Sequence, residues 1–106
     1  EALGLNREIY ASCVAMLGVS HDYTIATGYR LARSLCKLGL VEETKIFLRD
    51  QLLPVARRSL GSDHGLTLAL NQTLARALIT TPERTRDDLL EAESIMQDVV
   101  QRRRRV

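Results

Sequence analysis

Leu17-Gly18-Val19-Ser20-His21-Asp22-Tyr23-Thr24 returns 43 residues later as Leu60-Gly61-Ser62-Asp63-His64-Gly65-Leu66-Thr67. An echo at that distance marks a chain that repeats one supersecondary unit, because units of this length bury their apolar faces by stacking as a solenoid. The match continues beyond the turn. Leu31-Ala32-Arg33 with Leu35 follows the first copy, and Leu74-Ala75-Arg76 with Leu78 follows the second. Ser20 or Asp22, and Ser62 or Asp63, are placed to accept bonds from the free N–H groups of the next helix. Gly18 and Gly61 can take the positive φ that closes the helix before.

Each unit then offers a break and a second helix. Leu38-Gly39-Leu40 leads into a helix from Glu42 to about Leu60, and Thr80-Thr81-Pro82 into one from about Arg86 to Val106. In the first of these, Val41, Thr44, Leu48 and Leu52 recur at three- and four-residue spacing, which puts them on one face of a helix. Glu42, Glu43, Lys45 and Arg49 take the opposite face. Asn6 to Leu17 reads as the second helix of a preceding unit, with Arg7-Glu8 ahead of Leu17-Gly18 as Arg49-Asp50 stands ahead of Leu60-Gly61.

The chain is therefore expected to be one repeat-array fragment over residues 1–106. Residues 1–18 form the second helix of a preceding repeat, 19–61 a repeat, and 62–106 a repeat with a longer inter-helix loop at about 80–88. That loop holds about five extra residues within the stretch Thr81 to Asp88, which is polar and carries Pro82. Pro54 falls inside a helix, and the segment 49–61 is one residue longer than 7–18, so a kink or bulge is expected near Leu53. A start at Glu1 without methionine and an end in an arginine run read as a piece of a longer protein.

Composition agrees with helices. The chain of 106 residues is 45% hydrophobic, mostly Leu and Ala, with two prolines, which favours an all-α domain. A formal charge of +2 is too small for general nucleic-acid affinity. Cys13 and Cys36 form no C-x-x-C pair, and no apolar run approaches the roughly 20 residues needed to span a bilayer. A soluble, cytoplasmic protein is expected.

The L-G-x-x-H-x-x-T turn, a Leu-Ala pair seven residues on, a glycine turn, and glutamate-rich helices ahead of R-D or R-E together resemble the kinesin-light-chain-like subclass of the tetratricopeptide repeat (TPR) family. The resemblance covers essentially the whole chain. It implies a right-handed α-solenoid of antiparallel helix pairs, a TPR-like superhelix whose first helices line a concave groove for extended peptides. Packing positions would be Leu31, Ala32, Leu35, Thr44 and Leu48, then Leu74, Ala75, Leu78, Ala92 and Met96. Groove positions would be Ala26, Tyr29, Arg30, Arg33, Cys36 and Lys37, then Ala69, Gln72, Thr73, Arg76, Ile79 and Thr80. Where the family pattern has an asparagine pair that grips peptide backbone, this chain has Tyr29-Arg30 and Gln72-Thr73.

The function that follows is a protein–protein interaction scaffold whose peptide groove centres on Tyr29, Arg30, Arg33, Lys37, Gln72, Thr73, Arg76 and Thr80. Its cations favour an acidic or C-terminal carboxylate peptide, through charge-assisted and bidentate bonds. The alternative is a purely structural or self-associating segment, joined through end helices whose apolar faces a cut array exposes. Nucleic-acid binding through Arg84, Arg86 and Arg102 to Arg105 ranks lower, since only Tyr10, Tyr23, Tyr29 and Phe47 are present to stack bases.

No constellation for catalysis is present: no nucleophile beside a base, no glycine-rich phosphate loop, no spaced ligand set. The chain reads as a non-enzyme without metal or cofactor. His21 and His64 recur in one turn, where a structural hydrogen bond accounts for both. Cys13 and Cys36 fall among apolar residues and act as small hydrophobes. Arg102 to Arg105 could be a targeting or phosphate-binding cluster, but cations also suit the last turn of a helix. Glu91 and Glu93 match the solvated acidic face of Glu42 and Glu43.

Overall fold

Glycine closes helices in this chain and histidine opens them. The computed structural model describes residues 2–104. Glu1, Arg105 and Val106 lie outside the described residues, and the last arginine of the basic run goes with them. Five helices are present among the described residues: α1, Ala2–Leu17; α2, Asp22–Lys37; α3, residues 41–59; α4, Gly65–Thr80; and α5, Arg86–Arg104. Among the described residues there is no strand, so the chain is all-α.

The caps correct one sequence expectation. Neither Ser20 nor Asp22 caps α2, and neither Ser62 nor Asp63 caps α4. Instead His21 Nδ1 accepts from the Tyr23 amide and His64 Nδ1 from the Leu66 amide, both at 3.1 Å. Each histidine sits at the cap position in an extended conformation, with ψ of 140°, so its ring nitrogen falls over the second amide of the helix. At the other end of α2, Gly39 has φ of +78°. Its amide donates to the Cys36 carbonyl, and the Leu40 amide reaches back to Leu35 at 3.0 Å. This paired closure needs a left-handed residue that glycine supplies without strain.

Helix α3 is not uniform. It is α-helical over Val41–Ile46, widens to a π-helix over Phe47–Leu52, and returns to α over Leu53–Ser59. The Leu53 amide donates to the Leu48 carbonyl, five residues back. Pro54 follows directly, has no N–H to give, and crowds the turn before it. Widening the ladder by one residue accommodates both effects and takes up the extra residue of this segment. The bulge expected near Leu53 is this π turn.

The connection from α4 to α5 runs over residues 81–85, against 38–40 between α2 and α3. It ends at Thr85, short of the 80–88 stretch expected from composition. A reciprocal cap stops it there: the Asp88 amide donates to Thr85 Oγ1 at 3.1 Å, and the Thr85 amide to Asp88 Oδ2 at 3.0 Å. The T-x-x-D spacing was the sequence signal for this boundary.

One hydrophobic core joins Ile25, Leu31 and Leu35 of α2, Phe47, Leu48 and Leu52 of α3, Leu70, Leu74 and Leu78 of α4, and Ala92 of α5. The stripe Val41, Thr44, Leu48 and Leu52 is buried, as its spacing requires. Met96 is partly buried and packs against this core, and it also borders a cavity. Helix α1 adds Tyr10, edge-on to Phe47 with ring centroids 5.2 Å apart. Asn6, early in α1, donates to Ser34, late in α2, and Thr24 donates to the Cys13 carbonyl, so these two helices run in opposite directions. Helix α4 lies against α2, α3 and α5 together, which brings the exposed faces of α2 and α4 alongside each other.

Candidate functional site

The spacing of three and four along α2 puts Tyr29, Arg33, Cys36 and Lys37 on one face. The same spacing along α4 aligns Ala69, Gln72, Thr73, Arg76 and Thr80. With the two helices adjacent, all nine border a single cavity of about 510 Å³. Gly39, Val41, Pro82 and Met96 complete its wall. Arg30 does not reach it. It borders a smaller hollow of about 220 Å³ with Asn6 and Ser34, and Arg33 and Lys37 form the wall between the two. Ala26 and Ile79 line neither cavity.

Arg33, Lys37 and Arg76 give the cavity its character. No Asp or Glu lines it, and among the described residues none of the three cations is in an ion pair. Elsewhere four cations are matched: Arg7 with Glu43 at 2.6 Å, Lys45 with Glu42 at 2.8 Å, Arg49 with Glu91, and Arg102 with both Asp63 and Asp98. Others, such as Arg30, Arg57 and Arg86, are likewise in no ion pair among the described residues. What distinguishes the cavity is that three such cations border one space. The cavity thus carries positive charge with no carboxylate on its wall.

The remaining polar groups are largely committed. The Thr73 and Thr80 hydroxyls donate to the Ala69 and Arg76 carbonyls at 3.0 and 2.9 Å. The Arg33 guanidinium lies 5.6 Å from the centre of the Tyr29 ring. Stacking of this kind holds the fork in place without using its N–H donors. The Gln72 carbonyl oxygen accepts from Arg103 Nη2 at 2.9 Å, leaving the amide nitrogen of Gln72 as the free end. The half-buried Cys36 thiol is pushed above its ordinary value by burial, with the nearby Arg76 charge pulling it partly back; a protonated thiol is a poor nucleophile.

The sequence did not point to Gly39, Val41, Pro82 or Arg103 as neighbours of this face. A helix pattern reports which residues share a face, not which loop folds over its end. Arg103 stands within the C-terminal basic run, where length of side chain and the course of α5 decide what it reaches. Of that run, Arg102 is held by Asp63 and Asp98, and α5 continues through Arg104.

His21 and His64 are exposed caps. Glu91 is paired with Arg49 and Glu93 accepts from Gln97. Among the described residues no three of His, Cys, Asp or Glu come together to hold a metal ion, and no helix is long and apolar enough to cross a membrane. Compared with known proteins, the chain matches no family model, no curated protein and no solved structure.

Proposed function

We propose that this chain is a peptide-docking scaffold, a stretch of TPR-like solenoid of the kinesin-light-chain-like kind, which holds an acidic segment of a partner protein in the basic cavity between α2 and α4. The observation that carries the reading is the set of three cations, Arg33, Lys37 and Arg76, on one cavity without a counter-charge. Charge of this kind stays solvated until a ligand arrives, and then contributes charge-assisted bonds and orientation. The repeat reading rests on the 43-residue echo, on α2 and α4 having 16 residues each, and on the same histidine cap at both N-termini. Two free thiols, Cys13 and Cys36, suit a reducing, cytoplasmic setting. The cavity sets no nucleophile beside a base, and we read the chain as a binding module rather than an enzyme.

The test is selection of ligands from a displayed random-peptide library, run in parallel on the wild type and on the Arg33→Glu/Arg76→Glu variant, both checked for helicity by circular dichroism. Acidic peptides enriched by the wild type alone are the expected result. Peptides held equally by both proteins would remove the groove from consideration.

A second reading is self-association within a longer array, favoured by the exposed Leu5, Met16, Leu17 and Val19 along α1 and its following turn. Sedimentation velocity over a wide concentration range separates the two. A monomer throughout that still binds peptide leaves only the docking reading.

A further inference from the structure

The charge balance of the cavity points beyond a general liking for acidic peptides, and the inference that follows rests on the docking reading above. We infer that the cavity takes a phosphorylated serine or threonine side chain of a partner peptide, with Arg33, Lys37 and Arg76 as its direct ligands and Arg103 as a positioning residue acting through Gln72.

The reasoning starts from charge. Three cationic side chains border one space of about 510 Å³ that no carboxylate enters. A single glutamate carries one negative charge and two oxygens, so it leaves most of that positive charge unmatched. A phosphorylated side chain carries about −1.5 to −2 at neutral pH and three terminal oxygens, one for each cation. Two of the three ligands are guanidinium groups, which bind phosphate oxygens in pairs through a planar fork.

The supporting groups are set for the same purpose. Arg33 is steadied by the face of Tyr29, an arrangement that leaves its donors unused. Gln72 is a side chain that could present either an acceptor or a donor. Arg103 occupies its oxygen, which turns the NH₂ end outward as a fourth donor. Arg103 also brings a further positive charge to the edge of the site. Thr73 and Thr80 have already given their hydroxyl protons to helix carbonyls, so they neither compete for the phosphate nor depend on it.

The experiment is an NMR titration of the intact chain with four blocked heptapeptides of glycine and alanine. Their central residue is phosphoserine, glutamate, serine, or a pair of glutamates, and a fifth arm uses inorganic phosphate alone. The signals followed are the side-chain N–H groups of Arg33 and Arg76 and the Gln72 amide. The phosphoserine peptide is expected to bind at least about tenfold more tightly than the glutamate peptide. Arg76→Gln and Lys37→Gln should each remove most of that difference while leaving the rest of the backbone spectrum unchanged. Arg103→Gln should weaken phosphopeptide binding and shift the Gln72 amide even without ligand, which loss of charge alone would not do. Equal binding of the glutamate or double-glutamate peptide would overturn the phosphate inference and leave the acidic-peptide reading standing. Inorganic phosphate binding as well as the phosphopeptide would show a free-anion site and overturn the peptide part. If no peptide moves these signals, the docking reading falls with the inference.

Discussion

A Cβ added to Gly28 would lie 2.8 Å from Cδ1 of Leu52 and 3.0 Å from Cε1 of Tyr10. Gly28 sits in the middle of α2, where glycine is the weakest ordinary helix former. Its place is explained by what it faces. Leu52 is fully buried at the end of the π turn, and α2 can approach α1 and α3 this closely only without a side chain at this point.

Gly28→Ala is therefore expected to destabilise the fold, although alanine gains about 1 kcal/mol of helix propensity. Overpacking of a filled core costs about 1–3 kcal/mol, and Leu52, the side chain that would have to shift, is itself buried in the core. Urea unfolding followed by circular dichroism should show a lower midpoint. Adding Leu52→Val, which shortens the opposing side chain, should recover part of the loss.

Thr24 and Thr67 hold the same place in the two copies of the repeat, yet their hydroxyls differ. Thr24 Oγ1 donates to the Cys13 carbonyl at 3.3 Å. Thr67 Oγ1 is buried with no partner among the described residues. The carbonyl 43 residues after Cys13 is that of Ala56, which accepts from the Leu60 amide. Valine matches threonine in shape, so Thr24→Val should cost about 1 kcal/mol, the worth of an ordinary hydrogen bond. Thr67→Val should be neutral or stabilising by about 1–2 kcal/mol, since it removes a desolvated hydroxyl. Thermal melts of the two variants check the contrast, and equal effects would contradict it.

Asp88 closes the cap of α5, and the bond from the Thr85 amide holds its carboxyl below the usual range, helped by the charges of Lys45 and Arg49. A carboxyl lowered in the folded state contributes stability that is present above its unfolded value and is lost as pH falls through the folded one. Asp88→Ala should thus lower Tm at neutral pH, and the gap should close on acidification. A gap that stays constant across that range would assign the effect to helix propensity instead.

The helices and the turns were legible in the sequence because each follows from local rules. An eight-residue echo at a fixed interval, a glycine after a helical pattern and a stripe at three- and four-residue spacing act within a few residues of themselves. Tyr29, Arg30, Arg33, Lys37, Gln72, Thr73, Arg76 and Thr80 were named as groove positions by the resemblance to the repeat family, and the structure sets all of them but Arg30 on one cavity. The sequence misjudged the caps because Ser, Asp and His at neighbouring positions all offer acceptors, and only the backbone path selects one.

What only the tertiary structure decided was how those faces meet. The π turn ahead of Pro54 ends at Leu52, the side chain that makes the close contact at Gly28. The side-by-side packing of α2 and α4 gathers Arg33, Lys37 and Arg76 onto one cavity and leaves Arg30 in the next hollow. Pro82 of the α4–α5 loop adds to the wall of that cavity, and the bond from Arg103 orients Gln72 on it. These depend on helix phase and on contacts between residues far apart in the chain, which no local pattern encodes. The sequence determined a helical chain with an internal echo and a cationic face, and the packing of its helices made that face the wall of a cavity.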